Sequence, residues 1–190
     1  MFRMIAVVMI WLTQFWGQVL AQPAVDSLMV SNGCINCHGT SGLREGGIIP
    51  SIAGQPHAYL LQTLTQYRDG SLKGTIMNRV MERVDEKHAR LLASRFSSIN
   101  VKARSTVDVH AAPGESIYKR QCAGCHDDKA DSSPRLRGQN IEYTRAVMDD
   151  LQKGRRTMSA DMTAAVSALS DTELQSVLAY LENWTLELDH

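Results

Sequence analysis

Cys34-Ile35-Asn36-Cys37-His38 decides the reading of this chain, and Cys122-Ala123-Gly124-Cys125-His126 repeats it 88 positions later. Two residues between the thiols let one helical turn present both sulfurs to the two vinyl groups along one edge of a porphyrin, and the histidine that follows is placed beneath the ring. The pair of motifs uses all four cysteines of the chain. It predicts two covalently bound haem c groups, attached through Cys34 and Cys37 and through Cys122 and Cys125. His38 and His126 are then the first axial ligands of the two irons.

Two disulfides, or a Cys/His zinc site, would draw on the same residue types. Neither accounts for a histidine after each cysteine pair, nor for the repetition. The motifs therefore imply a carrier of electrons.

The 190 residues leave room for two small domains, and 44% apolar content is that of ordinary globular protein. A lobe of roughly 80 residues buries only a modest core, so a large apolar macrocycle at its centre adds to its stability. At the N-terminus Arg3 precedes a mainly apolar stretch from Met4 to Trp16, and Val19-Leu20-Ala21 resembles a small-residue cleavage site. Residues 1–21 read as a signal peptide with Gln22 as the mature start, implying export to the periplasm. The stretch is short for a span, so no stable membrane span is expected after cleavage, with an uncleaved anchor as the alternative.

The halves repeat beyond the cysteines. Pro50-Ser51-Ile52-Ala53-Gly54-Gln55 aligns without a gap with Pro134-Arg135-Leu136-Arg137-Gly138-Gln139, and a constant offset of 84 carries through Tyr59 and Tyr143 to Gly70 and Gly154. This is a duplicated domain, too long to be a solenoid unit. Both halves read as helical, giving an all-α chain of two tandem domains, each wrapped around one haem. Val25, Leu28 and Met29 share a helical face; Pro56 and Gly70 bracket a second helix; another runs from Asp85 through Leu92 and Phe96. In the second half Pro113-Gly114 precedes a helix with Ile117 and Tyr118, and Asn140 caps one that Gly154 ends. Ser170 and Glu173 form a capping box ahead of Leu174, Val177, Leu178 and Leu181. Val101 to Pro113 lacks a sustained apolar period. The expected division is residues 22–100, a linker at 101–113, and residues 114–190.

The sixth iron ligand decides what such a site does, because a methionine thioether favours reduced iron and closes the position to a reactant. Met77 lies 7 residues after Gly70 and 8 before Asp85, in an expected loop. Met162 lies 8 after Gly154 and 9 before Asp171, whereas Met158 follows Gly154 by only 4. The spacing selects Met77 and Met162, with Met158 as the competitor. Met29, Met81 and Met148 read as core. Pro50 and Pro134 either offer a carbonyl to the second nitrogen of the axial histidine or simply punctuate turns. Tyr59 and Tyr143, with arginines such as Arg79, either reach haem propionates or fill a buried helix face. His57, His88, His110 and His190 read as surface residues.

Charge is balanced overall but not locally. Residues 22–105 hold 10 Lys+Arg against 6 Asp+Glu, and residues 106–190 hold 9 against 14. Opposite signs suit either directional docking to different partners or attraction between the lobes. No basic stripe with interleaved aromatics points to nucleic acid, and no dinucleotide fingerprint is present, so a flavin belongs on another chain.

Two fused domains with an early Cys-x-x-Cys-His-Gly, then Pro-Ser-Ile-Ala-Gly-Gln, then Thr75-Ile76-Met77-Asn78-Arg79, resemble class I cytochromes of the cytochrome c4 type and the dihaem subunit of flavocytochrome c sulfide dehydrogenase. Thr-Ile-Met-x-Arg, Arg155-Arg156-Thr157-Met158 followed by Met162, and Asp127 in place of a glycine are most similar to the latter. That resemblance implies axial roles for Met77 and Met162, and a flavoprotein partner, carrying FAD, that oxidises sulfide while this chain passes electrons to soluble redox proteins. The alternative is a free cytochrome c4 serving a membrane oxidase. A dihaem peroxidase or thiosulfate-oxidising enzyme is the enzymatic alternative and requires an open or unusually ligated haem. No independent catalytic site is expected.

Overall fold

The structure, a computed structural model, describes residues 25–73, 75–105, 113–127 and 131–189. The expected signal peptide lies outside them. Helix α1 covers residues 25–31, with Val25 and Met29 buried, and leads into α2 (Cys34–His38). Next come α3 (His57–Asp69), α4 (Ile76–Met81) and α5 (Glu86–Ser97). The second half supplies α6 (Pro113–Gln121), α7 (Ala123–His126), α8 (Ile141–Gln152), α9 (Ala160–Ser167) and α10 (Asp171–Glu182). The mainly helical expectation holds.

Local sequence accounts for most boundaries. Pro56 precedes the first turn of α3, and Gly70 ends it at φ 76°, a left-handed conformation that a side chain would strain. The Asp85 carboxylate accepts from the His88 N–H at the start of α5. The Ser170/Glu173 capping box forms as expected. In the first lobe α3 packs on α5 around Leu60, Tyr67, Leu92 and Phe96, with Met29 and Met81 enclosed among them. In the second, α6 packs on α10 through Tyr118, Tyr180 and Leu181, while Met148, Leu174 and Leu178 form a neighbouring cluster. Burying a side chain such as Leu92 or Leu181 stabilises the fold by roughly 1.5–3 kcal/mol.

The stretch expected to be a linker is not one throughout. Val101–Ser105 is strand β1, which pairs antiparallel with β2 (Trp184–Leu188), and Pro113 already belongs to α6. Each strand follows the last helix of its lobe, so the two-stranded sheet joins the lobes. Lys102 faces Glu187 and Ala103 faces Leu186. Moving each residue to its repeat partner, 84 positions away, turns one pair into the other. That register is what a two-fold axis through the middle of the sheet requires.

The repeated Pro-x-x-x-Gly-Gln motif lies beneath the strands. A Cβ on Gly54 (φ 65°) would stand 2.1 Å from the Val101 Cγ2, and one on Gly138 (φ 80°) 3.0 Å from the Leu186 Cβ. Each glycine lets a strand settle onto the loop that carries it.

Candidate functional site

Both cysteine motifs sit on short helices that put the thiols at a surface and the histidine inside. Cys37 and Cys125 are exposed, Cys34 and Cys122 half-buried, and all four are free. Burial raises the Cys34 thiol pKa and pushes that of Cys122 up to about 11. Neither has the depressed pKa of a reactive dithiol pair.

His38 and His126 are buried, and each ring hydrogen-bonds to a proline carbonyl. The His38 Nδ1 lies 2.8 Å from the Pro50 carbonyl oxygen, and the His126 Nδ1 lies 2.7 Å from that of Pro134. A carbonyl only accepts, so Nδ1 carries the proton and donates, leaving Nε2 as the unprotonated, metal-binding nitrogen. Desolvation lowers both histidine pKa values, opposed in part by these bonds. Of the two readings of Pro50 and Pro134, the structure selects the orienting carbonyl. Two thiols and a neutral imidazole with its tautomer fixed match the donor set a covalent haem needs, and the same set occurs twice.

Met77 and Met162 do not lie in open loops. Each occupies the first turn of a short helix, α4 and α9. The Thr75 hydroxyl accepts from the Met77 N–H at 3.1 Å, and the Ser159 hydroxyl accepts from the Met162 N–H at 3.2 Å. Thr75 and Ser159 are repeat partners, but Met162 stands one residue further along its helix than Met77. Met77 packs against the first core and Met162 against the second-lobe cluster of Met148, Leu174 and Leu178. Met158 precedes the Ser159 cap and falls outside α9.

The tyrosines meet an arginine other than Arg79. Arg156 stands among Tyr59, Tyr67 and Tyr143, hydrogen-bonding the Tyr143 and Tyr67 side chains, so two residues of the first lobe share a cation of the second. Burial, joined by the neighbouring phenols, holds the Tyr59 pKa well above its ordinary value. Arg79 lies instead beside Ser31, Asn32, Val80 and Arg83. Sequence reasoning paired the tyrosines by register but had no signal for Arg156, whose approach depends on how the lobes dock. Asn140 likewise makes no cap bond in α8; its side chain reaches the first lobe, accepting from the Gly46 N–H and donating to the Ile49 carbonyl.

After the cysteine motifs the lobes differ. Gly39 (φ 79°) leaves no room for a Cβ, which would stand 2.3 Å from the Leu43 carbonyl oxygen. Asp127 takes that place in the second lobe in extended backbone. It pairs with Arg137 at 3.0 Å and accepts from the Tyr118 hydroxyl at 3.3 Å, while the Arg137 guanidinium stacks on Trp184.

Twinned sites of two thiols and one oriented imidazole on small helical lobes are those of a c-type cytochrome. Residues 109–181 match the family described as cytochrome C oxidase, cbb3-type, subunit III. Over 180 residues, covering 86% of this chain and 93% of the relative, it is 24% identical to cytochrome c4 of Thiocapsa roseopersicina. Over 88 residues, covering 43% of this chain and 79% of the relative, it is 32% identical to the cytochrome subunit of sulfide dehydrogenase of Chlorobaculum tepidum. A solved structure of Acidithiobacillus ferrooxidans cytochrome c4 superposes with a TM-score of 0.66 at 25% identity, covering 80% of this chain and 98% of that one. The chain belongs to the dihaem class I cytochromes c of the cytochrome c4 type. It carries two covalent haem c groups and transfers electrons. Among the described residues, no helix is long and apolar enough to cross a membrane.

Proposed function

We propose that this chain is an exported, periplasmic electron carrier in which Cys34 and Cys37 hold one haem and Cys122 and Cys125 the other. His38 and Met77 are the axial ligands in the first lobe, His126 and Met162 in the second. Haem supplies a one-electron couple at its iron, and the protein fixes its ligands and covers it. Pro50 and Pro134 hold the imidazoles in the tautomer that leaves Nε2 for the iron, and that observation carries the reading. A methionine on the other side closes each iron to reactants, which suits transfer and not catalysis. Residues 1–21 act as the export signal, and residues 22–100 and 114–190 are the two haem-binding domains.

The partner follows from which relatives match and how far. Similarity to a cytochrome c4 along nearly the whole chain favours a free carrier that passes electrons toward a terminal oxidase. A second reading, the cytochrome subunit of a flavocytochrome c sulfide dehydrogenase, is supported by the Thr75-Ile76-Met77-Asn78-Arg79 stretch and the 32% identity to such a subunit. In that case a flavoprotein supplies the electrons. A visible spectrum of the natively purified protein, before and after anaerobic sulfide, separates the two. The free carrier shows two low-spin haems, no flavin and no reduction by sulfide; co-purifying flavin with haem reduction by sulfide establishes the subunit.

A further inference from the structure

The repeated Pro-x-x-x-Gly-Gln motif has three fixed parts. The proline carbonyl orients a histidine and the glycine admits a strand, whereas the glutamines reach chiefly into the opposite lobe, Gln139 Oε1 also accepting from the Asn140 N–H of its own lobe at 2.9 Å. Gln55 and Gln139 are 4% and 9% exposed, and a buried amide needs partners. Both find them across the lobe boundary. The Gln55 Oε1 accepts from the Arg135 N–H at 2.9 Å, and its Nε2 donates to the Arg135 carbonyl at 3.1 Å. The Gln139 Oε1 accepts from the Ser51 N–H at 2.8 Å, and its Nε2 donates to the Ser51 carbonyl at 2.8 Å. Ser51 and Arg135 are repeat partners, so each glutamine clamps the same backbone position of the other lobe.

That position is the residue after the proline. The Arg135 N–H and the Pro134 carbonyl are two ends of one peptide group, as are the Ser51 N–H and the Pro50 carbonyl. An unbroken line therefore runs from the His126 Nδ1–H to the Pro134 carbonyl, through the peptide to the Arg135 N–H, and on to the Gln55 Oε1. Its mirror image runs from His38 through the Pro50–Ser51 peptide to Gln139. Hydrogen bonds in series polarise one another: an acceptor on the N–H side of a peptide puts more negative charge on its carbonyl oxygen. A more negative carbonyl draws harder on the imidazole N–H and makes the ring a stronger donor to whatever its Nε2 binds.

We propose that Gln55 and Gln139 are crossed positioning residues, each setting the donor strength of the axial histidine in the opposite lobe. The inference rests on His38 and His126 being axial ligands. Stronger donation stabilises ferric iron, so removing the acceptor raises the reduction potential of the haem in the other lobe.

The test is spectroelectrochemical titration of the full dihaem protein, with each couple assigned to its lobe by the shifted haem methyl resonances in the NMR spectrum. Gln55→Leu is expected to raise the second-lobe potential while the first-lobe potential stays in place. The ferrous-to-ferric ratio at fixed potential should rise about threefold, or about 28 mV at 59 mV per decade for one electron. Gln139→Leu should do the reverse. Gln55→Glu keeps the shape and the acceptor, so it should leave the second-lobe potential at or below the wild-type value. A Leu effect in the variant's own lobe, no effect in either, or a rise with Glu overturns the proposal. Should the Leu variants not accumulate as holoprotein, the Glu variant still decides. Failure of the ligand assignment would appear separately, as a low-spin second haem that survives His126→Ala.

Discussion

Met77 and Met162 differ from the other methionines in where they stand. Met29, Met81 and Met148 are packed within the lobes, whereas Met77 and Met162 open short helices whose first amides are already held by a hydroxyl. Their N–H groups are satisfied by Thr75 and Ser159, and their half-buried side chains border the two cores. Met77→Ala should convert one haem to high spin and lower its potential, because the thioether favours reduced iron. Met162→Ala should do the same to the other haem, and Met158→Ala should leave the spectrum unchanged. A visible spectrum and a redox titration of each variant check this, and a high-spin Met158→Ala protein would move the second ligand. The cysteines and histidines were legible in the sequence because covalent attachment demands a fixed local spacing. For the methionines the sequence offered only a position between helices, since a ligand approaching across a ring carries no spacing rule. The cross-lobe contacts of Arg156 and Asn140 were not legible, because those partners lie in the other lobe and nothing near them in sequence records it.

At the scale of elements, the longer helices announced themselves through caps and apolar faces, whereas the short helices α4 and α9 and the two strands did not. Val101–Ser105 contains Lys102, Arg104 and Ser105, has only two apolar positions, and finds its partner in a strand at the far end of the other lobe. Five such residues form a strand because a second strand and a glycine-lined loop are waiting for them, which is tertiary information. Gly54 carries much of that dependence. Gly54→Ala adds a methyl 2.1 Å from the Val101 side chain at a positive φ, and is expected to destabilise the protein by about 1–3 kcal/mol. The loss would be read as a lower urea midpoint of the haem-loaded protein, whereas Gly70→Ala, with nothing within 4 Å of the added carbon, should show only the smaller backbone penalty.

For the whole molecule, the lobes are held together by polar contacts: the two glutamine clamps, the Asn140 bonds, the Arg156 and tyrosine group, and the Arg104–Glu187 ion pair at 2.7 Å. The ion pair is exposed and adds little. The tyrosines make the assembly sensitive to alkali. Burial raises the pKa of Tyr59, Tyr67 and Tyr118 above the ordinary 10, with Asp127 adding to the effect at Tyr118. Above that pH the unfolded chain gives up phenol protons that the folded chain keeps, so stability is flat below it and falls as pH rises past it. A urea midpoint that drops between about pH 9 and about pH 11, and drops less in Tyr118→Phe, is the expected result. An unchanged midpoint across that range would mean the phenols are not buried as described.

The dyad through the centre of the β1–β2 ribbon has a consequence for truncation. Self-complementary pairing is the signature of an isologous contact, in which one patch binds a second copy of itself. Two glutamines reaching for equivalent backbone, and two edges pairing about their common midpoint, give the lobes the geometry of a homodimer within one chain. A half-chain cut loose from its twin keeps an open edge and an unanswered amide, and another half-chain is the ready-made partner for both.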